Sequence, residues 1–149
     1  MRKIATLLVD LMLFASATAA AWRDNDERQI DFRELPDAAQ HFVKQHFGAE
    51  QIKMVTLDKD VISSEYEVLL TSGTKVEFRG NGEWESIKSP TGNIPADLVP
   101  KKIASHVTKS YPATKIVELS RERGEWEVTL SNGIELTFDG NFKLREIDD

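Results

Sequence analysis

From Glu65 to Asn81 the chain reads EYEVLLTSGTKVEFRGN, and from Glu125 to Asn141 it reads EWEVTLSNGIELTFDGN. Eight of the 17 aligned positions are identical, and Tyr66/Trp126, Thr71/Ser131 and Val76/Leu136 keep size and character. Such a duplication means one structural unit built twice, with an apolar face that neither copy buries well alone. Tyr66, Val68 and Leu70 alternate with Glu65, Glu67 and Thr71, as Trp126, Val128 and Leu130 do with Glu125 and Glu127. That is the period of a strand with one face in the core and one in water. Ser72-Gly73 and Asn132-Gly133 are tight-turn dipeptides leading into Val76 and Phe78, or Leu136 and Phe138. Gly80-Asn81 and Gly140-Asn141 then turn the chain into a fourth strand, which holds Trp84 and Ile87 in one copy and Leu144 and Ile147 in the other.

Upstream of each hairpin lies a short β-branched run, Ile52 to Leu57 or Ile116 to Leu119, and before that a helix opened by proline. Leu35-Pro36 precedes Ala38, Ala39, Phe42, Val43 and Phe47 at helical spacing, with Gly48 placed to stop the helix. Val99-Pro100 precedes Ile103, Val107 and Tyr111, with Pro112 at the end. Ile94 to Leu98 reads as an extra turn of helix before the second copy. The offset between copies is 64 residues in the helices and 60 in the hairpins, so the loop before Glu65 is longer than the loop before Glu125. The expected fold is α+β: two tandem α-β4 repeats, as two sheets side by side or one continuous eight-stranded antiparallel sheet, with the helices on the apolar face.

The first 21 residues read as an export signal, with a basic start at Arg2 and Lys3, an apolar run from Ile4 to Phe14 interrupted by Asp10, and small residues from Ala15 to Ala21. Cleavage is expected within Ala19 to Trp22, leaving a polar lead-in over 22–34 with Ile30 and Phe32 tucked in. Residues 35–89 and 90–149 then form the two repeats of one compact domain. No other run is long and apolar enough to span a bilayer. The chain has no cysteine, which rules out disulfides, a thiolate nucleophile and a lipid anchor on sulfur. Its net charge of -6 becomes one unit more negative without the signal, which argues against nucleic acid and anionic membranes as partners.

These letters resemble the PepSY-like family of secreted bacterial proteins, over Leu35 to Asp148. That family is similar in fold to the β-lactamase inhibitor protein. The resemblance implies a periplasmic or extracellular protein without enzymatic activity, with inhibition of a peptidase or another enzyme as its conjectured role. It carries over no functional residue.

The residues themselves offer little chemistry. His41 and His46 are five apart on one helix and His106 sits on the other, away from the spacing that metal ligation on a helix favours. Ser72 and Lys75 have the letters of a Ser-x-x-Lys nucleophile, but the serine falls in a hairpin turn. Asp24 to Glu27 and Asp58 to Asp60 are acidic, yet neither run has the glycine and distal glutamate of a calcium loop. No metal or cofactor is therefore expected. What exceeds the needs of folding is the outer sheet face, where Glu65, Glu67, Glu77, Glu125, Glu127, Glu135 and Asp139 meet only Lys75 and Arg79. The six glutamates are the candidate contact residues for an unknown protein partner with a basic surface. Flat, wet strands are not expected to give two of them the different environments that a paired-carboxylate hydrolase needs. The alternatives are a carrier with a pocket between sheet and helices near Tyr66, Trp84, Tyr111 and Trp126, and a hydrolase, for which no nucleophile, base or metal set is present.

Overall fold

A computed structural model describes residues 27–149; the segment read as an export signal and the first five residues of the lead-in, 22–26, lie outside them. One antiparallel sheet of nine strands runs in chain order: β1 (Arg28–Gln29), β2 (Ile52–Lys59), β3 (Ser64–Leu70), β4 (Lys75–Arg79), β5 (Trp84–Lys88), β6 (Ile116–Glu122), β7 (Glu125–Leu130), β8 (Glu135–Phe138) and β9 (Leu144–Asp148). Helices α1 (Asp37–Phe47) and α2 (Lys101–Ser110) cover one face. The tandem α-β4 plan is as the sequence predicts, and of the two sheet arrangements it leaves open the continuous one is found, with one strand more.

The ninth strand has a clear origin. In the second copy the free side of β6 is taken by β5, with Ser86 opposite Ser120, Ile87 opposite Leu119 and Lys88 opposite Glu118. In the first copy the equivalent side of β2 is taken by the lead-in, where Arg28 lies opposite Leu57 and Gln29 opposite Thr56. So β5 closes one unit and opens the next, whereas β1 serves only as an opener. A second correction belongs to the same region. The turn of 3-10 helix found at Ala96–Leu98 is not an addition to the second copy, because Phe32–Glu34 forms the same turn 64 residues earlier. The first of these turns is fixed by a capping box, in which Arg33 N–H donates to Asp31 Oδ1 at 2.9 Å and Asp31 N–H to Glu34 Oε2 at 2.7 Å.

Each helix begins straight after its proline and buries one stripe: Ala39, Val43 and Phe47 on α1, Ile103 and Val107 on α2. Beneath them the inward residues of the strands form one continuous core, with Val68, Leu70, Val76, Phe78 and Ile87 from the first copy and Leu119, Val128, Leu130, Leu136 and Phe138 from the second. Burial of each such side chain contributes about 1.5 to 3 kcal/mol. The seam between copies is aromatic. Phe42 stacks on Trp84 at 5.9 Å, Trp84 meets Trp126 edge-on at 5.9 Å, and the Arg121 guanidinium lies 4.2 Å from the Trp84 ring centre while its Nε donates to the Trp84 carbonyl at 3.0 Å. Gly73 and Gly133 sit in the left-handed region at φ +88° and +89°, which is what closes the β3–β4 and β7–β8 turns so tightly.

Candidate functional site

The strand alternation that sends apolar residues to the helices sends a registered row of polar ones across the opposite face. Thr56 lies opposite Glu67, Glu67 opposite Glu77, Glu77 opposite Ser86, Ser86 opposite Ser120, Ser120 opposite Glu127, Glu127 opposite Thr137, and Thr137 opposite Glu146. The two serines, Ser86 and Ser120, meet where the copies join. Because serine is short, the middle of the row is a trough flanked by longer side chains. The resulting open groove of about 380 Å³ is lined by Glu77, Glu85, Ser86, Glu118, Ser120, Glu122, Arg123, Glu125 and Glu127.

Three of the six predicted contact residues, Glu77, Glu125 and Glu127, thus line the groove. The other three share the face but stand beside it: Glu67 holds Lys75 at 3.3 Å, Glu65 lies opposite Arg79, and Glu135 lies opposite Thr129 and Asp148. Asp139 is spoken for, accepting the N–H of Asn141 and Lys143 in the β8–β9 turn and bonding Arg145 at 2.9 Å. Those backbone donors, Lys143 first, hold its carboxyl below the usual aspartate range. The groove also contains residues that alternation alone does not find. Glu85 reaches the outer face through the bulge opposite Glu77 and Phe78, and bonds Arg79 at 3.4 Å. Glu118 joins from the short run already read as a strand, and Glu122 because β6 runs three residues further than its apolar letters indicate. Glu118 holds Lys88 at 3.3 Å.

The electrostatics differ from the flat, wet face expected from the letters. Burial pushes the Glu77 carboxyl above the usual glutamate range, with Glu67 adding to the rise and Lys75 opposing it. Burial does the same at Glu127, where Glu135, Glu125, Glu122 and Glu118 all push in the same direction. Partial desolvation in the trough comes first at both positions, and neighbouring carboxylates add to it. A cation brought into the trough meets both needs. The two shifts have the same direction, so Glu77 and Glu127 do not form the contrasted pair, one raised and one lowered, that acid–base hydrolysis uses.

The other sequence candidates are dispersed. Ser72 Oγ donates to Thr74 Oγ1 at 3.1 Å in the β3–β4 turn, and Lys75 is engaged with Glu67. His46 Nδ1 lies 3.3 Å from Asp97, His106 packs edge-on against Phe138, and His41 is exposed. Among the described residues no three histidine, aspartate or glutamate side chains converge on a metal-sized point, and no helix is long and apolar enough to cross a membrane. Tyr66, Tyr111 and Trp126 pack against the core that contains Trp84, on the face away from the groove.

A family model described as "Putative beta-lactamase-inhibitor-like, PepSY-like" matches residues 17–65 and 64–146. The chain belongs to the PepSY-like family. Solved structures agree with the assignment. A putative calcium-regulated periplasmic protein of Bacteroides thetaiotaomicron is 36% identical, with a TM-score of 0.80 over 83% of this chain and 98% of that one. A putative periplasmic protein of the DUF2874 family from Bacteroides vulgatus is 33% identical, with a TM-score of 0.79 over 85% of this chain and 99% of that one. A second periplasmic protein of that organism, of unknown function, is 29% identical with a TM-score of 0.77, over 83% and 99%. No curated protein matches the sequence. Like these PepSY-like relatives, the protein is periplasmic or secreted, as its sequence predicts.

Proposed function

We propose that the protein is an exported, non-enzymatic binding module that docks a basic patch of a partner protein on its outer sheet face, with the Glu77–Glu127 trough at the centre. The observation that carries this reading is the groove itself, lined by six glutamates with Arg123 as its one basic residue, in which burial and neighbouring carboxylates push Glu77 and Glu127 above the usual range. Folding gains nothing from such a field, whereas a lysine or arginine entering the trough relieves it and is steered there from a distance. Glu125 lines the trough with Glu77 and Glu127, and Glu65, Glu67 and Glu135 form the surrounding rim. The inhibitor-like description of the family favours an enzyme as the partner. Pull-down from the native periplasm, with the wild type and with Glu77→Lys/Glu127→Lys, tests the proposal. The variant is expected to fold and to lose the partner; retention of the same partner at equal yield removes the groove from the interface.

The description of the Bacteroides thetaiotaomicron relative as calcium-regulated names a second candidate for the same trough, a divalent cation. Calorimetric titration with calcium chloride separates the two readings. Under the protein-docking proposal, calcium at millimolar concentration competes with the partner without a stoichiometric binding isotherm of its own.

A further inference from the structure

β9 is the copy of β5 at the 60-residue offset, yet the two strands have different surroundings. Beyond β5 lies β6; beyond β9, among the described residues, lies no strand. The consequence shows at one pair of equivalent positions: Ile87 is 0% exposed, and Ile147 is 53% exposed. The backbone follows the same logic. Ser89 N–H donates to Val117 C=O at 2.8 Å, so the hydrogen-bonded pairs between β5 and β6 recur every second residue and include Ile87 with Leu119. At the copied position the N–H and C=O of Ile147 point outward from β9, beside an uncovered apolar side chain.

The fold itself illustrates what sits next to a strand of this kind, and the letters of β9 modify it. Opposite Ser86, Ile87 and Lys88 stand Ser120, Leu119 and Glu118. In β9 the corresponding residues are Glu146, Ile147 and Asp148. An incoming antiparallel strand therefore places an apolar residue opposite Ile147 and cations opposite Glu146 and Asp148. A second copy of β9 does not fit this demand. Pairing about a two-fold axis at Glu146 opposes two glutamates, at Arg145 two arginines, and at Ile147 it sets Glu146 against Asp148, all of them destabilising contacts.

We propose that the free edge of β9 accepts an extended segment of another polypeptide by strand addition, antiparallel and with the pattern basic, apolar, basic. Main-chain bonds at Ile147 supply the ladder and the acidic flanks select the sequence. This site is separate from the groove and shares with it only the demand for positive charge.

The probe is a short acetylated peptide of alternating lysine and valine, titrated against the protein by fluorescence anisotropy while amide exchange is followed by NMR. Protection of the Ile147 amide is expected to rise at least about tenfold. Affinity is expected to fall at least about tenfold when the peptide is N-methylated on the residues facing β9, and with Ile147→Pro, which removes an outward donor from an edge strand that tolerates proline. Glu146→Lys/Asp148→Lys is expected to do the same. Equal binding of the methylated peptide, or protection confined to the groove strands β4 to β7, overturns the proposal. So does concentration-dependent dimerisation through β9 in sedimentation, which assigns the edge to a second copy. Glu77→Lys/Glu127→Lys leaves Ile147 protection in place, so failure at the groove and failure at the edge read separately.

Discussion

Glu67 and Glu127 occupy the same place in the two copies of the repeat, and their surroundings are opposite. Glu67 has Lys75 at 3.3 Å; Glu127 has instead the like charge of Glu135, the residue that the second copy carries where the first has Lys75. The turns diverge in the same way. Gly82 at φ +87° lets the start of α1 approach so closely that a Cβ added there would meet Pro36 Cβ at 2.9 Å and Ala38 Cβ at 3.1 Å. Its copy is Phe142, held at φ +62° with its ring 5.9 Å from that of Trp126. Inward positions such as Val68/Val128 and Phe78/Phe138 hardly differ, because both halves contribute to one core. The duplication has diverged where residues meet solvent or a terminal edge, and charge has been concentrated there in the second copy.

The largest test of this comparison concerns the shared core. Phe78→Ala and Phe138→Ala are each expected to cost about 3 to 5 kcal/mol, with a single cooperative transition in both variants. Two separated transitions in urea would mean that the copies fold as independent units. Gly82→Ala follows at roughly 2 kcal/mol, since it adds a clash with α1 to the left-handed penalty, while Gly133→Ala, with nothing within 4 Å of the new Cβ, costs about 1 kcal/mol. Equal losses would show that α1 yields at Gly82.

The smallest effect has the most diagnostic sign. A raised carboxyl pKa contributes stability below the unfolded value and loses it as pH rises through the folded value. Glu127→Gln is therefore expected to stabilise the protein by about 0.3 to 0.5 kcal/mol near neutral pH, with no gain below about pH 4. Glu67→Gln is expected to show no gain, because it gives up the pair with Lys75. Denaturation midpoints across that pH range decide between these outcomes; a gain at Glu67 equal to that at Glu127 would remove the asymmetry between the copies.

The repeat was legible because turn glycines and two-residue alternation are local signals, and both copies carry them. β1 was not, since Arg28 and Gln29 are two polar letters without alternation, and their pairing is imposed by the open side of β2. The turn at Phe32–Glu34 did leave a trace, the Asp31 and Glu34 of its capping box. On the outer face, alternation placed all six glutamates correctly. It missed Glu85, displaced by a bulge, Glu118, on a run too short to show alternation, and Glu122, carried by a strand whose last three residues are polar. The trough has no sequence signature at all, because it comes from Ser86 and Ser120 meeting across the junction of the copies.

The chain order of the sheet has a kinetic consequence. Every strand pairs with its neighbour in sequence, and only the two excursions through α1 and α2 separate partners by more than a tight hairpin. Loop closure is then inexpensive at six of the eight strand junctions, so the chain can zip from either hairpin set without searching for distant partners. For an all-antiparallel sheet of this width, refolding is expected to be fast, and slowed chiefly by docking of the helices that join β1 to β2 and β5 to β6.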